Sequence, residues 1–145
     1  MGGESRVRAL FEEFYRRVAL DSLIGPVFAA MDPLHARKVA EFVGQVFGGP
    51  PRYTDGGGTH TSMIVRHMGR MLTKEQRARW VALLIETADH QGVPDDPEFR
   101  AAFVGYLEWG SRLAVMNSAE GVAAPQDEPP MPRWDWGPPG GPWNG

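Results

Sequence analysis

Apolar residues recur along this chain at helical intervals. Between Glu4 and Ala19, Val7, Leu10, Phe11, Phe14 and Val18 fall three or four residues apart and so share one face, which predicts a helix. Tyr15 sits at the edge of that stripe, where its ring can be buried while its hydroxyl needs a polar partner. "DSLIGPVFAAM" follows, broken by Gly25 and Pro26 into one or two turns. Asp32 and Pro33 form a helix-start signal, and the helix they open is expected to reach about Phe47 with His35, Val39, Phe42 and Val46 facing inward. Gly48 to Gly58 carries too many glycines and prolines for regular structure.

In "HTSMIVRHMGRML" the residues Ile64, His67, Met68 and Met71 are expected on one face of a short helix that Gly69 weakens at its end. Thr73 with Gln76 resembles a capping box for the next helix, whose face carries Trp80, Leu83, Leu84 and Thr87 until "HQGVPDDP" stops it. Asp96 and Pro97 repeat the start signal. The last helix aligns Phe99, Phe103, Tyr106, Leu107, Gly110, Leu113 and Ala114. No strand pattern competes, so the fold class is all-α. Residues 118–145 contain seven prolines and five glycines, which divides the chain into a helical domain, 1–118, and a Pro/Gly/Trp-rich tail, 119–145. Three tryptophans in that tail would be costly to leave in water, so part of it is expected against the domain or a partner.

At 145 residues the chain holds one core. Its net charge of -3 lacks the basic stripe of a nucleic-acid binder. The absence of cysteine excludes disulfides, thiolate metal sites and thiol catalysis, so any metal chemistry must use histidine, carboxylate or a preformed cofactor. No apolar run approaches the roughly 20 residues of a membrane span, and a soluble, unprocessed, cytoplasmic protein is the expectation.

The chemistry rests on histidines 35, 60, 67 and 90, no two of which have the spacing of a helical metal motif. His60 and His90 read as surface or structural groups. His35 and His67 each lie on an apolar stripe of a different helix, without a visible carboxylate partner. A backbone carbonyl can satisfy such an imidazole, so periodicity alone leaves a core role and a ligand role both open. Met63, Met68 and Met71 on that pattern read as core packing. No G-x-S-x-G elbow exists, no P-loop lysine follows "GGG" at 56–58, and Asp95 with Asp96 reads as turn and cap.

Taken together, "FYRRV" with "SLIGPVF", then "FVGQVFGGPPRYT", "MIVRHMGRML", "RARWVALL" and "YLEWGSRLAV" resemble the group II truncated (2/2) haemoglobins over Gly2 to about Ser118. The likeness joins separated motifs in order with glycine landmarks at Gly2–Gly3 and Gly48–Pro50. It implies a sandwich of two helices over two around haem b (iron protoporphyrin IX). His67 matches the proximal iron ligand, a role suited to a neutral imidazole whose other ring nitrogen donates to an acceptor. Tyr15 and Trp80 match distal residues that donate to bound dioxygen. Phe28 matches an aromatic on the haem face where many members have tyrosine, which leaves this chain one distal donor fewer.

His35 matches the distal gate position. Its implied options are donation to the ligand, swinging as a gate, or binding the iron, and Val39 would lie one turn further on, over the iron. The resemblance places Phe42, Met63, Ile64 and Met71 along the haem pocket and Arg66 and Tyr53 at the propionates. It implies dioxygen or another diatomic gas as ligand and, for redox chemistry against peroxide or nitric oxide, an unknown reductase. It assigns no oligomeric state. Two other readings are a haem-free helical module that docks a partner through the tail, and a haem-based redox or gas sensor.

Overall fold

The computed structural model describes residues 3–134. Among them, six α-helices and one 3₁₀ turn account for the regular structure, without strands. Helix α1 spans Glu4–Leu20 and buries Val7, Leu10, Phe11, Phe14, Tyr15 and Val18, the stripe read from its periodicity. Asp21 ends it. Its carboxylate accepts from the backbone N–H of Leu23 at 3.0 Å and Ile24 at 3.1 Å, and also from Arg79 at 2.7 Å. This turns the chain into the 3₁₀ segment Gly25–Phe28. Gly25 is needed there because a Cβ would lie 3.1 Å from the Val18 carbonyl oxygen.

Helix α2 spans His35–Val46 and starts later than the Asp32–Pro33 signal predicts. Asp32 accepts from Leu34 N at 2.7 Å through its side chain and from His35 N at 2.9 Å through its carbonyl, so it closes a turn just ahead of the helix. The glycine and proline loop also differs from expectation. It contains a one-turn helix α3, Arg52–Asp55, which Pro50 and Pro51 lead into and which Gln45 of α2 holds through Thr54.

Helix α4, His60–His67, begins with a capping box in which Thr59 and Ser62 satisfy each other's backbone N–H groups. It ends at His67. Met68 is already extended, Gly69 takes φ 74° and Met71 takes φ 52°. Met68 and Met71 therefore do not continue the face of Ile64 and His67, because glycine at position 69 lets the chain leave the helix at once. Helix α5, Lys74–His90, opens with the Thr73–Gln76 capping box. Helix α6, Pro97–Ser118, opens with Asp96 accepting from Phe99 N at 3.0 Å.

The helices pack as two pairs. α1 lies on α2, α5 lies on α6, and α1 joins the pairs by packing on α5, which is the two-over-two arrangement. Leu10, Phe11, Phe14, Val18, Val46, Leu84, Phe103 and Leu107 form the buried centre. Phe47 completes it at the end of α2, with ring centroids 6.3 Å from Phe99, 6.2 Å from Phe103 and 5.6 Å from Tyr106.

Beyond Ser118 the chain is irregular and returns over the domain. Trp134 N donates to the Val46 carbonyl at 2.8 Å, and its ring meets Tyr106 at 5.8 Å and Trp109 at 5.6 Å. The tail therefore lies against the domain at Trp134. Gly2, Trp136 and Trp143 lie outside the described residues.

Candidate functional site

α2 packs on α1 and α3, whereas α4 packs on α6, and among the described residues no Cα of α2 comes within 8 Å of α4. They face each other across an apolar slot that the rings of Phe42 and His60, 6.5 Å apart, cross. Phe28, Met31, Ala36, Val39, Met63 and Trp80 touch the core yet remain only partly buried, and Ile64 is likewise half-buried. Six of these seven are strongly apolar carbon or thioether groups, and Trp80 adds one N–H. Phe42 reaches deeper, with its ring edge-on to Tyr53 at 5.0 Å.

Tyr15, Phe28, His35 and Trp80 come together although they belong to separate elements. The Tyr15 ring lies 4.8 Å from His35 and 5.4 Å from Phe28, and Phe14 sets Trp80 by an edge contact of 5.3 Å. Tyr15 is buried and hydrogen-bonded to the Trp80 side chain. The indole has only a donor to offer, so the tyrosine oxygen accepts and its own proton stays available. Burial pushes the Tyr15 phenol well above the tyrosine range, against the smaller opposing effect of Trp80, and keeps it neutral. A cleft lined by Val18, Phe28, Ala29 and Met31 reaches Tyr15 from outside.

His35 Nε2 is buried without a hydrogen-bond partner among the described residues. Burial, and then the positive charges of Arg66, His67 and Arg70, push its pKa down to about 4 against a weaker pull from Asp32. The imidazole is thus neutral near pH 7 and has one unmet polar atom.

His67 is lowered as well, first by burial and then by Arg70 and Arg66, while a hydrogen bond to the Met63 carbonyl acts the other way. One ring N–H is committed to that carbonyl, one helical turn back. The other nitrogen keeps its lone pair, which makes His67 a neutral, oriented base of the kind a metal takes. The residues present therefore fit a haem: an oriented neutral imidazole on one wall, an orphaned polar atom near it, and partly covered apolar surface between.

Arg66 is exposed and forms no ion pair among the described residues, and Arg70 donates to its carbonyl oxygen. Both arginines lie close enough to His35 to affect its protonation. Arg70 follows Arg66 by four residues, a spacing that sequence reasoning can find.

Two expected pocket residues stand elsewhere. Tyr53 is buried, and its hydroxyl is taken up at the start of α4 by the Thr59 carbonyl at 3.1 Å and Ser62 Oγ at 2.9 Å, which occupies the group expected at a propionate. Met71 lies beyond the end of α4, is 58% exposed, and gives its N–H to the Ser118 carbonyl at 3.0 Å. His60 is tied to the Pro130 carbonyl at 2.9 Å, and His90 is exposed at the end of α5.

An all-helical two-over-two sandwich with histidine on one wall of a slot and a tyrosine–tryptophan pair near the other is the arrangement of a truncated globin. Residues 1–108 match the family model of the bacterial-like globins. The chain is 34% identical over 113 residues to the group 2 truncated hemoglobin YjbI of Bacillus subtilis, covering 78% of this chain and 83% of that protein. The X-ray structure of a truncated oxygen-avid haemoglobin from Bacillus subtilis superposes with a TM-score of 0.68 at 34% identity, over 78% of this chain and 93% of that one. The group II truncated hemoglobin of Bacillus anthracis gives 0.71 at 26% identity, over 83% and 91%. The chain belongs to the bacterial-like globin family, and within it to the group II truncated haemoglobins.

Proposed function

We propose that this chain is a haem b protein that binds dioxygen, and other diatomic gases, on an iron held by His67. The observation that carries this reading is the His67 ring, neutral and tied to the Met63 carbonyl, beside the orphaned Nε2 of His35. When bound, the haem supplies an iron with one position left for a gas.

The chain's own residues divide the remaining tasks. His67 would hold the iron through its free lone pair, and the Met63 carbonyl keeps the ring in the tautomer that leaves that lone pair free. Tyr15 would offer its hydroxyl proton to the ligand while its oxygen accepts from Trp80, which strengthens it as a donor. His35 adds a further polar contact through Nε2. Val39, Phe42, Met63 and Ile64 would keep water from the haem, and Arg66 with Arg70 would hold its propionates. A relative described as oxygen-avid supports dioxygen as the ligand.

Family membership favours this reading over a haem-free docking module, and so does Trp134, which is turned onto the chain's own α6. The test is a set of visible spectra of purified protein, ferric, ferrous and oxygenated. Histidine-ligated haem is expected in the unsubstituted chain. His67→Gly should lose that spectrum, and added imidazole should restore it. Unchanged spectra in His67→Gly would remove His67 from the iron.

A further inference from the structure

α4 carries the ring that the proposed function puts on the iron, yet it has no buried residue of its own. Packing alone therefore does not fix its place. Polar contacts at its ends do much of that work, and most of them come from one stretch of chain. At the start of α4, the Glu128 carboxylate accepts from the Thr61 backbone N–H at 3.1 Å, from the Thr61 hydroxyl, and from the His60 backbone N–H. His60 Nδ1–H donates to the Pro130 carbonyl at 2.9 Å. Just past the end of α4, Ser118 accepts from Met71 N at 3.0 Å through its carbonyl and from Leu72 N at 2.9 Å through its hydroxyl.

The same stretch reaches the opposite wall. Trp134 N donates to Val46, the last residue of α2, while the Trp134 ring sits on Tyr106 and Trp109 and within 3.7 Å of where a Gly105 side chain would be. Between its anchors the sequence is "EPPMPRW". Proline restricts such a segment to extended geometry near 3.1 Å per residue, so the six steps from Glu128 to Trp134 span about 19 Å as a semi-rigid bar. No Cα of α2 lies within 8 Å of α4, and the rings of Phe42 and His60, 6.5 Å apart, are the contact between the two helices among the described residues. The bar is tied to both.

We propose that residues 118–134 form a strap that sets the position of α4 relative to α2, with Glu128 and Trp134 as positioning residues for His67. This rests on the reading that His67 ligates haem iron. Glu128 acts because its charge sits on the free N–H groups that open α4, where a carboxylate is held best. Trp134 acts because its ring seats the far end of the bar on α6 and so keeps its backbone N–H on Val46 of α2. Loosening either anchor lets α4 shift with His67 on it.

The experiment uses the haem-loaded full chain, unsubstituted and as Glu128→Ala, Glu128→Gln and Trp134→Ala. One readout is the iron–histidine stretching band of the ferrous, gas-free protein in resonance Raman. The other is amide hydrogen exchange across α4. The band should shift in Glu128→Ala and Trp134→Ala, exchange at Thr61 should rise about tenfold in Glu128→Ala, and Glu128→Gln should recover part of both. A lower melting temperature with the band unmoved would make these contacts merely structural and overturn the proposal. If Glu128→Ala does not fold, the band in Glu128→Gln and Trp134→Ala decides in the same way. Absence of an iron–histidine band from the unsubstituted protein would instead sink the role of His67, and α4 exchange alone would then decide for or against the strap.

Discussion

The side chains of Trp80 and Tyr15 are hydrogen-bonded to each other inside the fold, so the two residues act as one polar unit. A hydrogen bond to a group that gains negative charge is worth about 1.5–3 kcal/mol, which corresponds to roughly ten- to hundred-fold in a dissociation rate. Tyr15→Phe is expected to speed dioxygen release within that range. Trp80→Phe should speed it less, because Tyr15 keeps its proton. Since the two residues are in contact, the double variant should fall short of the product of the single effects. Stopped-flow measurement of dioxygen release on all four proteins checks this, and fully multiplicative effects would count against the coupling.

His35 makes stability depend on pH. Its folded value is pushed down from 6.5 to about 4, so as pH falls the unfolded chain takes up the proton first. Above pH 6.5 neither state is protonated and the group contributes no slope. Between 6.5 and about 4 stability should be lost at up to about 1.4 kcal/mol per pH unit from this group, and below that the loss should level off. His67 is lowered in the same direction, so the unsubstituted protein shows the two together. Denaturant unfolding from pH 4 to 8 should give a shallower slope for His35→Gln. Equal slopes would show that His35 is not neutralised by the fold.

Gly58 marks a close approach. A Cβ there would stand 2.5 Å from the Tyr53 ring, and that ring is buried with its hydroxyl held by Thr59 and Ser62, so it has little room to give. Gly58→Ala is expected to cost about 1–3 kcal/mol as an overpacked site. Tyr53→Phe, which keeps the ring, should cost about 1 kcal/mol. Thermal unfolding of the two variants gives the comparison, and a neutral Gly58→Ala would mean the α3–α4 turn relaxes freely.

Arg66 and Arg70 predict how firmly haem is kept. Exposed ion pairs are worth about 0.2–1 kcal/mol, so replacing either arginine with alanine should speed haem loss by up to about fivefold. Transfer of haem to an excess of a haem-free acceptor globin measures it. Unaltered transfer in the double variant would place the propionates elsewhere.

The sequence pattern reached some parts of this molecule and missed others for physical reasons. The stripes of α1, α5 and α6 were legible because burial follows the helical period, and the caps at Thr73 and Asp96 because capping is local chemistry. The same period misled at Met71. Apolar spacing continues through "HMGRML", but Gly69 bends the backbone out of the helix before the stripe is complete. His35 and His67 were visible as odd residues on apolar faces, whereas the resemblance alone ordered them with Tyr15 and Trp80. Glu128 left no trace, since its partner Thr61 is 67 residues away and no short-range rule connects them. The turn of α3 escaped because Gln45, which holds it, sits on another helix.

The open slot between α2 and α4 has a thermodynamic side. A chain whose own side chains do not close its interior has left part of its folding free energy outside its sequence, to be supplied by whatever fills the space. Occupancy and foldedness then become linked variables, and stability rises with the logarithm of free cofactor once its concentration exceeds the dissociation constant. The amount of intact protein in a cell would track the supply of cofactor, before any gas is bound.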